Sequence, residues 1–155
     1  MASAGVSTLG ITLGYGLETT AGTKPSTFTQ LNRINNIASI TLETEQIDAS
    51  ALEDLATRYI AGRQDSGGSW AISVNLTDET QTEWTDLIAA YNALGTGLHV
   101  WFEVIVPGMT EGFFVVAQPP QVIPFPEMAQ NGLLTVDITL SIEEYKGMDT
   151  IVAFS

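Results

Sequence analysis

In a chain of 155 residues, five Lys and Arg stand against eighteen Asp and Glu, a formal charge of -13, and there is no cysteine. Disulfides, thiolate nucleophiles and cysteine-based metal centres are thereby excluded. Tight nucleic-acid binding, which draws its affinity from cations replacing phosphate counterions, has almost nothing to work with. The length suits one domain with its own core, and no apolar run approaches the roughly 18 residues that a membrane span needs. The bland reading of the charge is solubility through self-repulsion.

The N-terminal MASAGVSTLG has neither a basic region nor a sustained apolar one, so it does not read as a secretory signal, and use in the cytoplasm is expected. Residues 1–30 are rich in Gly, Thr and Ser and read as an arm with a short extended piece at 14–18, either frayed in the free protein or ordered by something it lies against. The run INNIASITLETEQID, residues 34–48, predicts a strand. At the two-residue period Thr41, Glu43, Glu45 and Ile47 share one face, with Asp48 following and no basic residue nearby. Like charges so spaced repel, and they are tolerated where a high-dielectric space lies in front of them. Residues 48–69 read as a long loop with a short helical turn from Leu52, Leu55, Tyr59 and Ile60, and they contain Arg58 and Arg63.

The second half alternates more clearly. Trp70, Ile72, Val74 and Leu76 alternate with small polar residues, predicting a half-buried strand. A helix follows, capped by Thr77 or Asp78, with Trp84, Leu87, Ile88, Tyr91 and Leu94 on one stripe and Gly95 ending it. LHVWFEVIV, residues 98–106, and GFFVVAQ, residues 112–118, form a hairpin around Pro107 and Gly108. The four prolines within 119–126 forbid an interior strand there. LLTVDITLSIEEY closes the pattern, with Leu134, Val136, Ile138, Leu140 and Ile142 inward and Thr135, Asp137, Thr139, Ser141 and Glu143 outward. The fold class is therefore mainly β: two packed antiparallel sheets, a β-sandwich or open barrel, with one flanking α-helix.

No catalytic constellation emerges, and no cofactor is expected. His99, Trp101 and Glu103 share a strand face, but they offer two metal ligands and the chain has no second His, so a solvated sheet face is the reading. Glu43 with Glu45, and Glu143 with Glu144, sit on single strands and do not face one another across a cleft as glycoside hydrolysis requires. Ser69 or Ser73 with His99 lacks a nucleophile-elbow context, and GRQDSGGS lacks the spacing and the Lys of a phosphate loop.

The succession GGSWAISVNLTDETQTEWTDLIAAYNALGTGLHVWFEVIVPG, EGFFVVAQ, a Pro-rich stretch with Pro126 and Glu127, and NGLLTVDITLSIEEY resembles the tail tube (major tail) proteins of long-tailed bacteriophages over about residues 34–145. The resemblance is one of architecture, without a signature motif. It implies a single tail tube domain over 1–155 that assembles into hexameric rings stacked as a tube in the virion tail, the conduit for the genome. It also implies that residues 1–30 and the 48–69 loop reach neighbouring rings, and that the protein is not an enzyme. The implied partners are other copies of itself, a tape-measure protein, and terminator and baseplate or tip proteins at the tube ends. DNA would pass without specific binding, with no membrane involved and with assembly in the host cytoplasm. On this reading Glu43, Glu45, Asp137, Thr139 and Ser141 are channel-lining candidates, and Arg58, Tyr59 and Arg63 are subunit-interface candidates. Two rival readings are a secretion-system-type tube or single-ring tail-completion protein, and a carbohydrate-binding β-sandwich that would expose aromatic residues on one face.

Overall fold

Where apolar and polar residues alternate, one face of a strand must be hidden, and the structure hides these faces against each other. The computed structural model describes residues 5, 9–52, 56, 59–65 and 68–154, without the side chains of 43–45 and 59–65. In chain order the elements are β1 (Thr12–Leu17), β2 (Thr29–Leu31), β3 (Ile34–Ile37), β4 (Glu43–Asp48), β5 (Tyr59–Asp65), β6 (Ser69–Asn75), α1 (Asp78–Asn92), β7 (Val100–Ile105), β8 (Glu111–Gln118) and β9 (Thr135–Thr150). Among the described residues the protein is mainly β with one helix. Seven strands form one antiparallel sheet in the order β2-β1-β7-β8-β9-β6-β3, and β4 and β5 form a separate antiparallel ribbon.

Chain connectivity requires this sheet to roll. Its two edge strands, β2 and β3, are joined only by Asn32 and Arg33. Laid flat, seven strands would hold their edges about 29 Å apart, whereas the three Cα–Cα steps from Leu31 to Ile34 span at most about 11 Å. The corner is held by the helix and by β6. Glu83 accepts from the Asn32 amide N–H at 3.0 Å and from its side-chain Nδ2 at 2.6 Å, and the Arg33 carbonyl accepts from the Asn75 N–H at 3.0 Å. Arg33 makes the turn with φ 58, a left-handed conformation that costs a non-glycine residue about 1 kcal/mol.

The opposite corner is in β9. Its first part pairs with β6, from Thr135 with Asn75 to Ser141 with Ser69, and its second part pairs with β8, from Ser141 with Gln118 to Thr150 with Glu111. Two register shifts in the β8 ladder leave Glu143 and Lys146 as extra residues on β9, and bulges of this kind bend a strand. The two halves of the sheet thus face one another. Trp70 of β6 and Phe102 of β7, separated in the sheet by β9 and β8, meet edge-to-face at 6.2 Å between ring centroids. Leu13, Leu31, Val100, Phe102 and Val115 from one half join Trp70, Ile72, Val74, Val136, Ile138 and Leu140 from the other in a single core.

The helix lies against β1 and β2 and adds Trp84 and Leu87 to that core. Thr77 caps it through a reciprocal pair: the Thr80 N–H donates to Thr77 Oγ1 at 3.2 Å, and the Thr77 N–H donates to Thr80 Oγ1 at 2.8 Å. The buried Thr80 hydroxyl also donates to the Asn75 carbonyl at 2.8 Å, tying the helix start to the end of β6.

A second apolar layer covers the outer side of β1, β7 and β8. Phe28, Trp101, Phe114 and Val116 form a separate buried cluster, covered by Val152 and Phe154. Glycine makes this possible. A Cβ on Gly14 would lie 2.3 Å from Phe154 Cε1 and 2.8 Å from the Thr29 carbonyl oxygen, and one on Gly16 would lie 2.7 Å from the Thr27 carbonyl oxygen.

Several expectations need correction. The two packed sheets are two halves of one rolled sheet, because β9 belongs to both. The strand expected over 34–48 is two strands, β3 and β4, in different sheets. Residues 59–65, expected within a loop, form β5, since pairing with β4 satisfies their backbone. The expected arm is part of the fold from Thr12 onward: β1 lies between β2 and β7, and Leu13 is fully buried.

Glu83→Ala should lower stability by about 1 kcal/mol, or about 2–4 °C in Tm, through loss of the two Asn32 contacts. In a double-mutant cycle followed by thermal unfolding, Asn32→Ala should add little once Glu83 is gone, whereas Glu83→Ala should still cost stability in the Asn32→Ala background, where the backbone N–H contact survives. Thr77→Ala should cost about 1 kcal/mol independently.

Candidate functional site

The outer face of β3, β6 and the first part of β9 is built from small polar side chains. Strand alternation points Ser69, Ala71, Ser73 and Asn75 away from the core, opposite Ser141, Thr139, Asp137 and Thr135 in register. Asn35 and Asn36 extend this face across the β3 bulge, where Asn35 Nδ2 donates to Asn75 Oδ1 at 3.2 Å. The Ser73 hydroxyl donates to Asp137 Oδ1, fixing the one carboxylate among these ten residues. No cation is present among them. The face is therefore polar, and it has no cation to pair with a phosphate.

Of the channel-lining candidates, the structure brings Asp137, Thr139 and Ser141 together on this face, all exposed. Glu43 and Glu45 lie on β4, in the separate ribbon, and their side chains are outside the described residues. Among the interface candidates, Arg58 lies outside the described residues. Tyr59 and Arg63 belong to β5, and their side chains are likewise outside the description. The neighbours that complete the polar face, Asn35, Asn36, Ser69 and Ser73, were visible in sequence only as the non-core half of two strands.

The His99, Trp101 and Glu103 face is not the solvated face expected from sequence. Trp101 and Glu103 are buried under the second layer, while His99 Nδ1 lies 2.6 Å from Glu143 Oε2 near the surface. Among the described residues no group of three or more His, Cys, Asp or Glu could hold a metal ion. The buried acid beside this face is Glu18. Its carboxylate accepts from the His99 N–H at 2.7 Å, the Trp101 Nε1–H at 2.9 Å and the Gly22 N–H at 3.0 Å, fastening the connection after β1 to the start of β7.

Two further apolar features lie on the surface among the described residues. Val122, Phe125, Met128 and Leu133 are exposed on the Pro-rich connection between β8 and β9. A largely apolar cleft of about 300 Å³ opens between the end of β3 and the β7, β8 and β9 strands, lined by Ile37, Ile40, Trp70, Val104 and Phe113 among others. All three Trp side chains, Trp70, Trp84 and Trp101, are buried, so none forms the exposed aromatic platform that a carbohydrate-binding sandwich would present.

No family model matches the chain, and no curated protein matches it. Solved structures do. The fold is similar to that of a chain in the baseplate of the anti-feeding prophage, a six-fold symmetrised structure, with 14% identity, a TM-score of 0.53 and 97% of each chain covered. It is also similar to a chain in the tail of an empty GTA particle, refined with C6 symmetry, with 15% identity and a TM-score of 0.54 over 90% of this chain and 95% of that one.

Replacing Glu18 by Ala would leave three donors without their acceptor, two of them on β7 or its approach. We expect a loss of at least about 3 kcal/mol in urea unfolding, with Glu18→Gln losing less because its amide oxygen still accepts.

Proposed function

We propose that the protein is a structural subunit of a phage-like tail, and within that class a tail tube subunit whose copies form hexameric rings that stack around a channel. The observation that carries this reading is the polar, cation-free face of β3, β6 and β9 on a fold similar to chains of six-fold tail particles. A tube that conducts a polyanion needs a wall without cations that would displace the phosphates' counterions, and Asp137, Thr139 and Ser141 would supply part of it. Glu43 and Glu45 are proposed for the same wall from their sequence pattern. Rolling leaves β2 and β3 as short edges of three and four residues, and contacts between subunits would cover such edges.

Arg58, Tyr59 and Arg63 are proposed for contacts between subunits. Any exposed ion pair they form would add only about 0–1 kcal/mol each, so specificity would rest on the apolar residues of the Pro-rich connection and on backbone pairing. Residues preceding β1 and the 48–69 segment, which includes β5, are proposed to reach the next ring. A tape-measure protein inside the tube and terminator or baseplate proteins at its ends would be the other partners. The role would be architectural, in the virion tail.

A second reading is a ring that does not stack, and similarity to a baseplate chain across 97% of both chains favours keeping it. Electron microscopy of the purified protein during concentration separates the two: hollow tubes with six-fold end views are expected, rings that never stack would select the second reading, and a monomer at every concentration would count against both. Deleting residues 1–8, which spares β1, should leave a folded protein that forms no tubes. Assembled Asp137→Lys protein should retain double-stranded DNA at low salt and release it at high salt, where wild-type tubes retain none. Equal behaviour of the two would remove Asp137 from the channel wall.

A further inference from the structure

The outer apolar layer contains a titratable group that its apolar packing does not require. Glu103 projects from the outer side of β7 and is fully buried. One carboxylate oxygen, Oε2, accepts from the Val152 N–H at 2.8 Å, while Oε1 is buried without a hydrogen-bond partner among the described residues. Val152 belongs to the segment after β9 that runs back over the sheet, with Val152 and Phe154 on the aromatic cluster and Phe154 over Gly14. Apart from an isolated bridge between Phe28 and Phe154, this strap has no ladder.

We propose that Glu103 is a proton-operated latch for the C-terminal strap, residues 151–154: the strap is seated when the carboxyl is protonated and loosens when it is ionised. An ionised carboxylate in this layer has one donor and one poorly placed cation. Lys24 Nζ lies 4.1 Å from the Phe114 ring centroid, but it is engaged by the Thr150 carbonyl at 2.6 Å and Asp149 Oδ2 at 3.5 Å. Lifting the strap would admit water to both oxygens, which favours the ionised form.

Burial pushes the Glu103 carboxyl above the ordinary range, against the opposing pulls of the Val152 N–H and Lys24. The seated strap therefore holds the proton more tightly than the open one. Its closure is strongest below the ordinary carboxylate pKa and weakens as pH rises through the raised value, about tenfold in the opening equilibrium per unit of difference. The other charged groups on this side do not reproduce that sign. The Thr150 N–H and Lys24 hold Asp149 below the usual range, so it is ionised throughout the window. Glu18 is committed to the Trp101 indole and backbone donors, and Lys146 lies 5.3 Å from the Trp101 ring centroid, paired with Glu144 at 2.8 Å. On β1 and β8 the residues opposite Glu103 are Gly14 and Phe114, both uncharged.

The test is amide exchange at Val152, expressed as a protection factor so that the intrinsic base-catalysed rate divides out, from pH 5 to pH 8. Alongside it, carbon NMR would follow the Glu103 carboxyl. In the wild type, Val152 protection should fall in step with Glu103 ionisation, about tenfold for each unit by which the seated carboxyl titrates above the open one, while Phe102 in the main core keeps its protection. In Glu103→Gln, whose amide oxygen still accepts from Val152, protection should stay high and flat. A wild-type Val152 that is insensitive to pH, a Glu103 that titrates in the ordinary range, or an equal fall in Glu103→Gln would each overturn the latch. Should Glu103→Gln not fold, the wild-type titration and exchange curves decide alone, by coinciding or not.

Discussion

Everything in this fold depends on the distance that Asn32 and Arg33 can span. They join the two edges of a seven-stranded sheet, and a connection of about 11 Å cannot join edges that a flat sheet holds about 29 Å apart. The sheet must roll, and rolling turns its apolar faces inward on each other. The left-handed backbone of Arg33 is tolerated because both sides of the corner are held, by Glu83 on the helix and by the Asn75 N–H on β6.

The other corner uses the opposite device. Where the first is a break between two short strands, the second is a continuous sixteen-residue strand, β9, that changes partners at Ser141 and is bent by two bulges. A single long strand shared by both halves couples them, so that the Trp70–Phe102 contact and the hydrogen-bond ladders support one another. The helix is best understood as part of this closure. Its cap is wired to the end of β6, its Glu83 to the first corner and its Trp84 to the core.

Rolling also gives the two outer faces different fates. Over β1, β7 and β8, glycines at 14 and 16 admit Phe154 and Phe28, and a second layer buries Trp101, Phe114 and the carboxylates of Glu18 and Glu103. Over β3, β6 and the first part of β9, short polar side chains stay in water, with one carboxylate and no cation. The first face is finished within the chain, and the second remains available. That asymmetry gives the proposed tail role its physical content: one side is sealed by the chain itself, while the other presents a surface on which DNA finds no cation to bind.

Sequence by itself determined the elements whose hydrophobic period is local. The helix from Asp78 with its Thr77 cap, the strand of Trp70, Ile72 and Val74, the β7–β8 hairpin and the inward set of β9 all follow from spacing that neighbouring residues share. The outward set, Asp137, Thr139 and Ser141, was legible for the same reason. Tertiary structure decided what depends on distant partners. A run such as INNIASITLETEQID carries no mark of where one strand ends and another sheet begins. The strand at Tyr59–Asp65 exists through pairing with β4. Glu103 alternates as an outward residue should, and only the return of the C-terminal segment over glycine-floored β1 turned that outward position into a buried one. Periodicity reports which side of a strand a residue occupies; what later covers that side is settled by packing between residues far apart in the chain.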